Sequence, residues 1–153
     1  MTDLSKADTK ILSALQAGLE SARSDLAAKV GMSPSTLWRR MKELEASGII
    51  GKQVMLLDPE KAGFPVCVFV FIQIKDYSSK SRANFESFVR DTPEIMECFS
   101  VTGAHDYTLI IRTRSVSEFE RLLMDAILRH PSVESASSQI SLRQHKYTTE
   151  LPL

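Results

Sequence analysis

Apolar residues recur with two different rhythms along this 153-residue chain. In the first third the spacing is helical. Ile11, Leu12, Leu15 and Leu19 form one stripe, which predicts a first helix from Asp3 to Leu19. Ser5 with Asp8 three positions on is a capping pair, and Gly18 lies near the helix end. Arg23 or Ser24 opens a second helix with Leu26, Ala27 and Val30 inward. Gly31 ends it, because glycine accepts the left-handed backbone that a tight turn demands. Ser33 then caps a third helix over Pro34 to Ala46, with Pro34 at the first helical position, where its missing N–H is no loss. Leu37, Met41 and Leu44 turn inward. At about 100° per residue, Ser35, Arg39 and Lys42 gather on the opposite side. Thr36 and Trp38 flank that group, and Arg40 lies nearer the core boundary. Ser47-Gly48 stops the helix, and Ile49 to Leu57 reads as strand material for a short wing or connector.

The second rhythm starts after Asp58-Pro59-Glu60-Lys61-Ala62-Gly63, a breaker that divides the chain. Val66 to Ile74 is an apolar, β-branched and aromatic run and predicts a largely buried strand. Ser79 to Arg90 is helical, with Phe85, Phe88 and Val89 on one side, and Thr92-Pro93 stops it. Ile95 to Thr102 and Tyr107 to Thr113 are two strands joined through Gly103-Ala104-His105-Asp106. Ser115 to Arg129 is a helix, His130-Pro131 ends it, and Val133 to Leu142 alternates as a last strand. The order β-α-β-β-α-β is that of a ferredoxin-like sandwich. Such a sheet has one face for a second copy to cover, which predicts a dimer. The expected fold is therefore α+β. A winged helix-turn-helix occupies 1–50, a wing or linker strand 51–63, and a ferredoxin-like effector and oligomerisation domain 64–153.

Composition narrows the function. Hydrophobic residues make up 43% and charged residues 25%, an ordinary globular balance. No apolar run approaches a membrane span, and the N-terminus has no apolar signal segment, so no membrane partner and a cytoplasmic location are expected. Cys67 and Cys98 sit in apolar runs and read as buried thiols of a reducing compartment. Nineteen basic residues balance nineteen acidic ones, which argues against an indiscriminate polyanion binder. Any affinity for nucleic acid must come from a local patch, and Arg39, Arg40, Lys42 and Lys52 form the best one. One such patch binds weakly alone, so copies must act together.

Two short helices about a Gly31-Met32-Ser33 turn have the layout of a helix-turn-helix, which sets its second helix in the major groove of double-stranded DNA. Ser33, Ser35 and Thr36 at the helix start can donate to phosphate or touch bases. Arg39 is the first choice for guanine, because its fork matches the O6/N7 pair. Arg40, Lys42 and Lys52 suit phosphate, and Trp38 is either a packing edge or a DNA contact. Catalysis finds little support: there is no nucleophile elbow, phosphate loop, zinc motif or nucleotide fingerprint, and the Gly103 loop is the one place that could serve an enzyme. No catalytic residue, cofactor or metal is called for, and His105, His130 and His145 share no ligand spacing with each other or with the cysteines.

The chain resembles the Lrp/AsnC, or feast/famine, regulators of bacteria and archaea. The resemblance rests on Asp8–Gln16, Val30-Gly31-Met32-Ser33-Pro34, Arg39–Ile50, Leu57-Asp58-Pro59, Gly103-Ala104-His105-Asp106-Tyr107 and His130-Pro131-Ser132-Val133, in order and at matching separations. It implies a homodimer built on the ferredoxin-like half, commonly an octameric ring, and a small effector, usually an amino acid, between dimers. The family's effector loop reads Gly-Asp-x-Asp-Tyr. Gly103, Asp106 and Tyr107 fit it and Ala104 departs, which bears on which effector binds. Asp106 either closes a turn or takes the effector's ammonium group while backbone N–H groups of the loop take its carboxylate. Thr102, His105 and Ser138 complete the implied effector set by position. Lys146 to Leu153 resembles the tail of a subgroup some of whose members sense cysteine. The alternative reading is a small-molecule-binding regulatory subunit of a metabolic enzyme whose helical half docks protein.

Overall fold

The computed structural model describes residues 4–18 and 23–153. These form two compact units: the described residues up to Met55 together with His145–Leu153, and Leu56–Gln144. By its contacts the tail from His145 onward groups with the helices.

The first unit contains α1 (Lys6–Gln16), α2 (Arg23–Val30) and α3 (Pro34–Ala46). The start of the first helix at Asp3 and its end at Leu19 lie outside the described residues. Ser5 and Asp8 form the full capping box at the head of α1. The small core is Ile11, Leu12, Ala14, Leu26, Ala27, Val30, Leu37 and Leu44. Gly31 adopts φ +70°, and α2 closes on it through Met32 N–H to the Ala27 carbonyl at 2.9 Å and Gly31 N–H to the Ala28 carbonyl at 3.1 Å. The end of α3 repeats the device at Gly48, with Ile49 N–H donating to the Leu44 carbonyl. No strand forms over Ile49 to Leu57, contrary to expectation. The segment has no ladder partner in one copy, and Val54, Met55, Leu56 and Leu57 are 56–83% exposed.

The second unit is a four-stranded antiparallel sheet in the order β2-β3-β1-β4, covered on one side by helices. Its strands are β1 (Val66–Ile74), β2 (Ile95–Ser100), β3 (Tyr107–Thr113) and β4 (Val133–Ile140). Helix α4 (Ser79–Asp91) and helix α5 (Val116–Arg121) supply the cover, α5 continuing as a π-helical segment over Leu122–Ile127. Val68, Val70, Ile72 and Ile74 of β1 and Tyr107, Leu109 and Ile111 of β3 pack against Phe85, Phe119 and Ile127. Phe119 and Ile127 are eight residues apart and would diverge by about 80° on a regular α-helix. The wider π turn brings both to the core.

One ion pair fastens α3 to α1. Arg40 Nη1 lies 2.9 Å from Asp8 Oδ1, and the two side chains are only 28% and 17% exposed. The Ser5 hydroxyl, and after it the Arg40 guanidinium, hold the Asp8 carboxyl below the usual aspartate range. A depressed carboxyl contributes stability that is complete above the ordinary value, near 4, and is lost as pH falls through the lower folded value. Arg40→Ala should therefore destabilise the helical unit by about 1–2 kcal/mol at neutral pH and flatten its acid unfolding. Trp38 on α3 is the only tryptophan, so its fluorescence in urea reads this directly. An unchanged midpoint would show that the pair holds nothing.

Candidate functional site

The residues that the sequence singles out fall in two regions, one in each unit. In the helical unit, α3 is positioned by its buried Leu37 and Leu44. Its start is fixed by Ser33, whose Oγ accepts from Thr36 N–H at 3.3 Å and lies 2.8 Å from Thr36 Oγ1 and 3.1 Å from Ser35 Oγ. Ser33 is thus engaged as the cap. Ser35, Trp38, Arg39 and Lys42 are exposed, Thr36 is half-buried, and Lys52 is exposed beyond the helix.

The cations differ in what holds them. Arg39 pairs with Glu43 one turn on at 2.6 Å, with both side chains about 60% exposed (62% and 58%). Such an exposed pair is worth only about 0.3–0.5 kcal/mol, so a phosphate or base edge can displace it. Lys42 meets Glu45 at 2.7 Å, and its Nζ lies 4.9 Å from the Trp38 ring centre. Trp38 therefore supports a cation on the outer face. Arg40, expected at phosphate, is instead turned toward α1 and engaged by Asp8 and Ser5. One residue of helix rotates a side chain by about 100°, which carries Arg40 from the outer face to the α1 seam.

In the sheet unit the loop from Val101 to Asp106 is tied to the end of β1. Asp106 N–H donates to the Ile72 carbonyl at 2.8 Å, and Ile74 N–H donates to Asp106 Oδ2 at 2.9 Å. The Gln73 side chain donates from Nε2 to the Ala104 carbonyl at 2.9 Å and accepts from Ser135 Oγ at 2.6 Å. These bonds sit where the β1–β4 register shifts, between Gln73 and Ile74. Asp106 also faces Tyr77, whose phenol it pushes up in pKa. The carboxylate thus performs the turn-closing role. Gly103 takes φ +119°, and Thr102, Gly103 and Ala104 form an exposed tip. His105 is half-buried and stacks on Phe71 with ring centres 5.4 Å apart.

Two further residues of the expected effector set lie off the exposed tip. Tyr107 is only 4% exposed, belongs to the helix-covered core, and donates its hydroxyl to Glu86 on α4 at 3.3 Å. Burial and the Glu86 charge push its phenol up. Ser138 pairs in register with Val70, so it lies on the helix side of the sheet, opposite to Phe71, Gln73 and Ser135. Sequence reasoning missed Gln73 and Ser135. The signal was present in Gln73, the one hydrogen-bonding amide inside the apolar run of β1. Cys98 is half-buried, and burial raises its thiol pKa, as does Glu86. Among the described residues no group of three His, Cys, Asp or Glu is placed to hold a metal.

Residues 4–50 match the winged helix-turn-helix DNA-binding family model, and residues 67–151 match the Lrp/AsnC ligand binding domain. The chain belongs to the Lrp/AsnC family. It is 36% identical over 146 residues to the glutamate uptake regulatory protein of Zymomonas mobilis, covering 95% of this chain and 88% of that one. It is 31% identical to the DNA-binding transcriptional activator DecR of Escherichia coli, covering 98% and 99%. Among solved structures, a Neisseria meningitidis transcriptional regulator in complex with L-methionine superposes with a TM-score of 0.93 at 35% identity, covering 98% and 97%. An AsnC family regulator from Agrobacterium tumefaciens gives 0.92 at 34%, covering 97% of each chain.

Asp106→Ala removes the partner of the Ile74 N–H, a group in the buried end of β1. It should lower the stability of the sheet unit by about 1–3 kcal/mol with no ligand present. Thermal unfolding of the free protein measures this. A variant as stable as the parent would mean that the carboxylate does not hold the loop.

Proposed function

We propose that this protein is a sequence-specific transcription regulator that binds double-stranded DNA as a homo-oligomer, with a small amino-acid effector altering its DNA affinity or assembly. The observation that carries the reading is α3. It is capped and seated by buried leucines, and it turns Ser35, Arg39 and Lys42 outward on one face. In a dimer two such helices enter successive major grooves about 10 base pairs apart, or a multiple of that. Arg39 exchanges Glu43 for a guanine edge. Lys42 and Lys52 meet phosphate, with Ser35, Thr36 and Trp38 beside them. Arg40 serves the reading indirectly, by fixing α3 against α1.

Zero net charge makes a single copy a weak binder, so assembly is part of the function. The uncovered sheet face, with Phe69, Phe71 and Ile110, and the exposed run Val54–Leu57 are the surfaces for a second copy. The common family ring, an octamer, extends that dimer. The effector site is the loop tip Thr102, Gly103 and Ala104 with His105. Asp106 and Gln73 hold the tip in place, and backbone N–H groups receive the effector's carboxylate. The methionine bound by the Neisseria relative supports an amino acid as ligand class. An effector acts only if it binds one arrangement better than another.

Gel shifts on the chain's own promoter region, run across a salt series, test the DNA half. Arg39→Ala should weaken specific binding by about 1–3 kcal/mol and relax preference at about one base pair. Lys52→Ala should weaken all sequences alike and reduce the salt slope by about one. Parental binding by both variants would overturn the face assignment.

A thermal-shift screen over the twenty amino acids, with mass measured in solution, tests the other half. At least one amino acid should raise the unfolding temperature or change the mass, and Gly103→Ala should remove that response. A protein that stays a single protomer and responds to none would overturn the effector reading.

A further inference from the structure

The last nine residues make an attachment that the functional reading leaves unused. Beyond β4 the chain has no regular structure, yet His145–Leu153 groups with the helical unit. The attachment is a reciprocal pair. Gln16, the final residue of α1, donates from Nε2 to the Leu151 carbonyl at 3.2 Å and accepts at Oε1 from the Leu151 N–H at 2.7 Å. A side-chain amide presents a donor and an acceptor side by side, as a peptide group does. Gln16 therefore meets residue 151 as an adjacent strand would. Short local bonds fold the tail about this point: Glu150 N–H to Thr148 Oγ1 and Leu153 N–H to the Leu151 carbonyl, both at 3.0 Å. Tyr147 and Leu151 remain exposed, so hydrogen bonds, not apolar burial, hold the tail. Two solvent-accessible bonds are weak enough to open and close.

We propose that Gln16 is a docking point for the chain's own C-terminal tail, which thereby acts as a releasable second tether on the DNA-binding unit. The chain passes between its two units once through the linker after α3. It passes back again at His145. With residue 151 docked, the helical unit is held by two chain segments; with it released, by one. The number of tethers sets how much freedom is lost when two helical units are brought to two half-sites.

Hydrogen exchange on the full-length protein, without DNA or effector, tests the dock. The Leu151 amide should exchange about three- to tenfold faster in Gln16→Ala than in the parent. Gln16→Glu keeps the acceptor but loses the donor and should fall between them. A chain ending at Glu150 should loosen the Ala17 and Gly18 amides as much as Gln16→Ala does. Combining the two changes should add nothing further. Gln16 lies at the helix end, outside the buried set of Ile11, Leu12 and Ala14, so the variants keep the core. Equal Leu151 exchange in parent and Gln16→Ala, or additive effects, would overturn the dock. Neither result depends on whether the protein binds DNA or an amino acid.

Discussion

The alternation of β1 constrains what the sheet unit can present. Successive side chains leave a strand on opposite sides. Burying Val68, Val70, Ile72 and Ile74 beneath α4 and α5 therefore commits Phe69, Phe71 and Gln73 to the uncovered face. The strand is paired on both edges, with β3 and with β4, so it cannot shift without disturbing the whole sheet. Its last three residues serve a second purpose. Ile72 offers a carbonyl, Gln73 a side-chain amide and Ile74 an N–H, and all three fasten the loop before β3. A rigid, buried strand thereby holds an exposed, glycine-containing tip, so the tip's shape comes from the core beneath it.

The helical unit divides labour between two adjacent arginines. Arg39 and Arg40 have the same charge and the same reach, and a single residue of helical rotation separates them. Arg40 is drawn into a half-buried pair that joins the first and third helices. Arg39 keeps a loose partner on its own helix. An exposed ion pair of that kind holds the guanidinium only loosely on the outer face, and costs little to break. The cation of Lys42 over the Trp38 ring does the same for its neighbour.

Local chemistry made much of this legible. The cap at Ser33, Pro34 behind it, the glycine turns at Gly31 and Gly48, and the strand limits of β1 and β3 all follow from residues within a few positions of one another. The order of elements identified the fold. What stayed hidden depends on contacts distant in sequence. Asp8 and Arg40 are thirty-two positions apart, and helical spacing alone says only that Arg40 lies near a boundary. The role of Asp106 turns on an N–H of another strand. Tyr107 is different, because the alternation Tyr107, Leu109, Ile111 already marks it as a core position. The motif Asp-Tyr drew attention to its chemistry and away from its phase. The linker ran the other way. Its apolar run reads as a strand, but a strand needs a neighbour, and one copy of the chain supplies none.

Gly103 has φ +119°, and a side chain added there would meet open space. The demand for glycine comes wholly from the backbone angle, since no neighbour crowds the site. The tip residues on either side, Thr102 and Ala104, are under no such demand. They are exposed, and the bond that anchors position 104 uses its carbonyl, a group that every amino acid shares. Chemical variety can therefore accumulate at position 104 while the scaffold that displays it stays the same. Single substitutions there can change the chemistry of the exposed tip, with no need for the protein to find a new fold.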